Sequence, residues 1–205
     1  MLVIGLTGGS GTGKTTFGAA FSKDSVALID ADAVYHELTD RPSPCTAELA
    51  STFGEEILAP DGSLSRARMR LLVFGDTEAH AERRSILNGI THRYVKEEID
   101  RRLELYREAG MRAALLDVPL LFESGLEELC DTVVAIIAPR EDRIRRIMAR
   151  DGITEEEATA RISAQPPDSF YAHRADYLIH NSGDRAHLTA RAEEIAAELL
   201  GDKES

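Results

Sequence analysis

The chain is short of the residues that build several classes of protein. It has two cysteines, Cys45 and Cys130, in 205 residues. Two thiols make neither a disulfide framework nor a metal-ligand cluster, so free thiols in a reducing cytoplasm are expected. The histidines, His36, His80, His92, His173, His180 and His187, fall at no metal-ligand spacing. Long apolar runs are missing: residues 133–138 form one of the longest, far below the roughly 20 residues of a bilayer helix. No basic segment precedes the first apolar run, so no secretory signal is expected. Positive charge is scarce, with 24 Lys and Arg against 36 Asp and Glu and a formal net charge of −12. That balance argues against a broad nucleic-acid or anionic-membrane surface. There is no internal repeat or low-complexity tract, and the acidic end at 201–205 is expected to fray.

What is present alternates. Brief, nearly continuous apolar runs at 2–6, 26–29, 113–116, 132–137 and 177–179 read as strands buried on both faces. Helical patterns at about 14–21, 140–150 and 185–200 separate most of them. Strand, helix, strand in that order predicts an α/β fold, a parallel sheet covered on both sides. Ligands of such sheets bind outside the carboxyl ends of the strands. The interval 30–112 breaks the rhythm: it has no strand-like run, two turn signals (Pro42-Ser43-Pro44 and Pro60-Asp61-Gly62) and a long polar helix at about 78–109. A crossover needs only a dozen or so residues. The excess reads as a helical insertion, either one that holds a second substrate or a structural decoration.

The first strand runs into "LTGGSGTGKTTF", Leu6 to Phe17. Gly8, four residues, then Gly13, Lys14 and Thr15 fit G-x-x-x-x-G-K-[ST], the phosphate-binding loop. Its glycines let successive backbone N–H groups turn inward around an anion. A helix starting near Lys14 adds the positive end of its dipole. Lys14 supplies a mobile charge for β/γ-phosphate oxygens, and the Thr15 hydroxyl can ligate Mg²⁺. A nucleoside triphosphate is therefore the expected ligand.

Further candidates follow the other strands. The second ends in "LIDADAVYHEL", putting Asp30 and Asp32 at a carboxyl end. A carboxylate there can take a proton from an attacking hydroxyl or hold Mg²⁺ through water, while Asp32 fits equally as the cap of the next helix. The third leads into "LLDVPLLFESGL". Asp117 is placed to face Mg²⁺, Glu123 to cap or contact substrate, and Leu120, Leu121 and Phe122 to wall a pocket or fill the core. After the fourth, Arg143, Arg146 and Arg150 form a helical stripe at i, i+3, i+7 beside Ile144, Ile147 and Met148. Clustered guanidiniums in an acidic chain fit an anion site. They also fit a solvated face paired with Glu141, Asp142 and 155–157. Gly152 marks a break between two helices, as a closing flap requires.

With these residues in hand, the chain resembles the dephospho-coenzyme A kinases. The likeness runs in order through "LIDADAVYHEL", "FGEEILAPDGSLSRARM", "LNGITH", "DVPLLFESGL", "RIMARDGIT" and "ADYLIHNSGD". It implies ATP- and Mg²⁺-dependent phosphorylation of a ribose 3′-hydroxyl, that of dephospho-coenzyme A, in the final step of coenzyme A synthesis. The fold it implies is that of nucleoside monophosphate kinases, a three-layer α/β/α phosphate-loop fold with a five-stranded parallel sheet. It further implies a nucleotide core at 1–36 and 91–205, a lid at about 140–166 and a helical substrate domain at 37–90. Gly9, Ser10, Gly11, Thr12, Gly13, Lys14, Thr15 and Thr16 match the ATP loop, with Lys14 also catalytic and Thr15 the metal ligand. Asp32 falls on the catalytic base, and Arg146 and Arg150 on lid arginines. Asp32, His92, Leu120, Phe122 and Glu123 are the implied substrate contacts. The expected partners are small molecules alone, with no nucleic acid or membrane, and the expected state is a cytoplasmic monomer. Two departures stand out: Arg93 follows His92 where the family usually has proline, and Pro166-Pro167-Asp168-Ser169-Phe170 follows Gln165.

Two other readings compete. One is a kinase of another small alcohol, such as a nucleoside. The other is a GTP-dependent switch, which typically carries Asp-x-x-Gly and Asn-Lys-x-Asp; neither occurs here.

Overall fold

A computed structural model describes residues 1–21 and 25–201 of the chain. Residues 202–205 of the end expected to fray lie outside the described residues. The elements in chain order are β1 (Leu2–Thr7), α1 (Lys14–Phe21), β2 (Val26–Asp30), α2 (Ala31–Thr39), α3 (Pro44–Phe53), α4 (Arg66–Val73) and α5 (Glu78–Glu108). They continue with β3 (Ala113–Asp117), β4 (Thr132–Ile137), α6 (Arg140–Asp151), α7 (Glu155–Ser163), α8 (Asp168–Ala172), β5 (Tyr177–His180) and α9 (Arg185–Leu200). The chain divides into two compact units, Met1–Ile29 with Glu104–Ser205, and Asp30–Leu103.

The first unit is built on a five-stranded parallel sheet in the order β2-β3-β1-β4-β5. The apolar runs make this order possible, because β1 and β4, buried almost throughout, tolerate helices on both faces. On one face Ile4, Leu6, Leu115, Val134 and Ile136 pack against Phe17 and Phe21 of α1 and Leu188, Ala192 and Ile195 of α9. The two phenyl rings stack with centroids 5.7 Å apart. On the other face Ala135 and Ile137 pack with Tyr171 of α8. Carboxylates fasten the starts of the central strands: Asp131 Oδ2 accepts from the Val3 amide at 2.7 Å, and Asp176 Oδ2 from the Val133 amide at 2.8 Å. Helices α6 and α7 close on their own small core of Ile147, Ala158 and Ile162. Between them Gly152 is the left-handed cap of α6, at φ +66°, the break its sequence position predicts.

The second unit is helical, as the absence of strand-like runs predicts; among its described residues an isolated bridge, Leu58 with Leu64, is the extended pairing beyond β2. Its core is Cys45, Leu49, Ile57, Leu64, Met69, Val73 and Ile90. Ser43 and Thr46 form a capping box at the start of α3, with Pro44 in its first turn. Arg93, which follows His92, ties α5 to α3. Its guanidinium donates to both oxygens of Glu48 at 2.6 Å and lies 4.5 Å from the Tyr94 ring centroid. That hydrogen-bonded guanidinium holds the Glu48 carboxyl below its ordinary pKa. Among the described residues, no helix is long and apolar enough to cross a membrane.

Candidate active site

The carboxyl ends of four adjacent strands supply the site in the first unit. Beyond β1 comes the phosphate loop, at the last residue of β3 Asp117, beyond β4 the helix α6, and beyond β5 Asn181. The loop begins at Gly8, whose φ is +138° and whose Cβ, if it had one, would stand 2.2 Å from the Ile136 carbonyl oxygen. Only glycine fits so close to a neighbouring strand in that conformation.

The loop's carbonyls are individually occupied. Lys14 Nζ donates to Gly8 O at 2.7 Å and Thr12 Oγ1 to Gly9 O at 2.9 Å. Arg143 Nε donates to Ser10 O at 2.9 Å, Arg146 Nη1 to Gly11 O at 3.2 Å, and Asn181 Nδ2 to Thr12 O at 2.7 Å. Every carbonyl from Gly8 to Thr12 thus accepts from a side chain. A peptide whose carbonyl is held on one side presents its amide on the other, which is the arrangement of an anion nest; the amides of Ser10 and Thr12 are themselves taken by Gln165 Oε1 and Gly9 O. Helix α1 begins directly at Lys14, so its positive end adds to the same field.

The arginine stripe therefore packs on the loop instead of forming only a solvated face. Arg143 is 5% exposed. Burial pulls its guanidinium pKa down, opposed by Asp168, whose Oδ1 is 3.8 Å from Nη1. Arg150 reaches Ser10 Oγ at 3.4 Å while also pairing with Asp151. Arg145, off the stripe, pairs outward with Asp142. An open cavity of about 290 Å³, lined by Arg140, Arg143, Gln165, Pro166, Pro167 and Asp168 among others, lies beside these groups.

Thr15 is exposed in the first turn of α1, and Asp117 pairs in register with Leu6, at the strand end that feeds the loop. Hydroxyl and carboxylate oxygens are the donors a hard cation such as Mg²⁺ takes. Among the described residues no group of three or more His, Cys, Asp or Glu gathers, so phosphate oxygens would complete such a site, the usual manner for Mg²⁺. Of the apolar trio, Leu121 is fully buried and Leu120 is 51% exposed. Phe122 packs edge-on to Phe170, and Glu123 is exposed.

Asp32 and His92 belong to the second unit. The cap of α2 is Asp30, not Asp32: Asp30 is extended at φ −95°, ψ 112°, and its Oδ1 accepts from the Ala33 amide at 3.1 Å. Asp32 is an exposed residue of the helix's first turn. The capping role weighed for it is therefore taken by its neighbour. His92 is half-buried on α5, and burial lowers its pKa.

Gln165 and Asn181 were not distinguishable as site residues beforehand. Gln165 Oε1 accepts from the Ser10 amide at 3.0 Å and from Arg143 Nη2 at 2.5 Å. Asn181 is 4% exposed.

Comparison with known proteins decides the family. The sequence model of the dephospho-CoA kinases matches residues 2–187. The chain belongs to the dephospho-CoA kinase family. A dephospho-CoA kinase of Corynebacterium efficiens is 40% identical over 200 residues, covering 98% of each chain. Among solved structures, one from Thermus thermophilus is 32% identical with a TM-score of 0.75, covering 98% of each chain. A dephospho-CoA kinase from Campylobacter jejuni is 26% identical with a TM-score of 0.71, covering 97% of this chain and 96% of that one. Membership makes the chain a kinase, a transferase.

Proposed function

We propose that the chain transfers the γ-phosphoryl group of ATP to the ribose 3′-hydroxyl of dephospho-coenzyme A, giving coenzyme A and ADP. The observation that carries this reading is the phosphate loop with its carbonyls engaged by side chains, flanked by Arg143, Arg146 and Arg150, in a chain of this family.

The backbone amides between Gly9 and Thr16, other than those of Ser10 and Thr12, which donate to Gln165 and to Gly9 O, cradle the phosphates, and Lys14 neutralises the β/γ oxygens. Asp32 accepts the proton of the 3′-hydroxyl as its oxygen bonds to the γ-phosphorus. The bond from that phosphorus to the β,γ-bridging oxygen breaks, and ADP leaves with the electron pair. Arg146 and Arg150 stabilise the charge spread over the transferring oxygens. Thr15 and Asp117 would hold Mg²⁺, which when bound neutralises phosphate charge. His92 in the second unit and Leu120, Phe122 and Glu123 in the first are each acceptor contacts, and α6 with α7 serves as the lid. The enzyme acts on small molecules in the cytoplasm as a monomer, without nucleic acid or membrane.

The test is direct. The chain, ATP, Mg²⁺ and dephospho-coenzyme A are incubated and coenzyme A is measured, with nucleosides and other small alcohols offered in parallel. Coenzyme A should form faster than any other product; preferential phosphorylation of a nucleoside would overturn the assignment.

A further inference from the structure

We propose that Gln165, braced by Arg143, is a positioning residue of the phosphate loop, tying the α6–α7 pair to the bound nucleotide. The inference rests on the ATP reading above but not on the identity of the acceptor.

Both backbone groups of Ser10 are held by side chains from this pair. Its amide donates to Gln165 Oε1 at 3.0 Å, and its carbonyl accepts from Arg143 Nε at 2.9 Å. The ring is closed by Arg143 Nη2, which donates to the same Gln165 oxygen at 2.5 Å. Both partners of that oxygen can only donate, which fixes the amide's orientation, since the NH₂ group there would meet two donors. The frame also explains a glycine: a Cβ on Gly9 would stand 2.2 Å from Arg143 Nη2 and 2.9 Å from Gln165 Oε1.

The sequence oddity after Gln165 supplies the aim. Pro166 restricts the backbone of the residue before it to extended conformations and ends any helix there. The amide of Gln165 closes the last turn of α7 on Ile162 O at 3.1 Å, and the diproline then holds its Cα at the exit. Pro139 stands at the N-cap of α6. The pair α6–α7, cemented by Ile147, Ala158 and Ile162 and by Asp151 pairing with both Arg150 and Arg161, thus grips the loop through α6 and through the residue leaving α7.

The experiment compares the full chain with Gln165→Leu and Gln165→Glu. ATP and ADP affinities are read by calorimetry, which needs no acceptor, and Ser10 amide exchange by hydrogen–deuterium methods. Gln165→Leu should weaken ATP on the order of tenfold, the loss of a shared, charge-assisted acceptor, and speed exchange at Ser10. The KM for dephospho-coenzyme A should stay within about twofold. Gln165→Glu keeps the acceptor, so Ser10 stays protected; its added charge weakens ATP in a way that salt relieves, unlike the leucine effect. Unchanged ATP affinity in Gln165→Leu would overturn the proposal. So would lost Ser10 protection in Gln165→Glu. A kinase that binds ATP as described yet ignores dephospho-coenzyme A would refute the acceptor alone.

Discussion

Asp32→Asn separates chemistry from architecture because the helix cap lies on Asp30. The change removes one charge from the first turn of α2 and leaves the Asp30 bond to the Ala33 amide in place. A charge at an exposed helix N-terminus is worth about 0.3–1 kcal/mol. For a chain of this length that is a shift in Tm of roughly 1–4 °C. Loss of a general base lowers kcat on the order of 10²–10⁴-fold, or roughly 3–5 kcal/mol of transition-state stabilisation. The activity effect therefore exceeds the stability effect several times over, and no plausible population of unfolded chain produces it. The assay pairs initial rates of coenzyme A formation at saturating ATP with thermal melts of the same samples. Asp30→Ala is the converse control: it removes the cap at a cost of about 1 kcal/mol and should melt earlier. A kcat for Asp32→Asn within a few-fold of the parent would refute the assignment, and an early melt with normal kcat would return the residue to a structural role.

Three other outcomes are expected. Lys14→Ala should abolish most turnover with an unchanged circular dichroism spectrum, since its half-buried ammonium donates to a carbonyl of the loop, at Gly8; normal turnover would count against the nucleotide site. Arg146→Ala and Arg150→Ala should each lower kcat more than they raise the KM for dephospho-coenzyme A, and wild-type kcat in both would leave the stripe a packing feature only. Burial pushes the Cys45 thiol up to about 11 and the Cys130 thiol to about 12, so a disulfide reagent at pH 8 should label the native chain slowly and the denatured chain fast. Because the unfolded thiols ionise first, their contribution to stability is intact below about pH 9 and declines as pH rises toward those values, which alkaline melts would show.

The strands β1, β3 and β4 were legible because burial on both faces writes itself as an uninterrupted apolar run, whereas the edge strands β2 and β5 carry apolar runs yet are partly exposed, Leu28 at 48%; β4 and α9 have the bounds their patterns suggest. The phosphate loop was legible because its geometry demands glycine, lysine and threonine at fixed offsets. The choice between Asp30 and Asp32 was not, since two aspartates two residues apart satisfy the same capping rule until φ and ψ are known. Gln165 and Asn181 were hidden for another reason. Their partners are the backbone atoms of Ser10 and Thr12, which carry no residue-specific signature, and neither lies on a periodic face. Arg143 was visible as part of a stripe, but its burial was not, because its neighbours Arg146 and Arg150 occupy the same face and stay more open.

The occupied carbonyls bear on the heat and speed of nucleotide capture. Lys14 and Arg146 already rest on carbonyl oxygens, at 2.7 and 3.2 Å. An arriving phosphate therefore trades one oxygen ligand for a more negative one instead of stripping a full hydration shell from each cation. Such a swap spares much of the dehydration that makes burying a bare ammonium or guanidinium slow and costly. It also discriminates: a neutral ligand, with no surplus charge over a peptide carbonyl, has nothing with which to win the exchange.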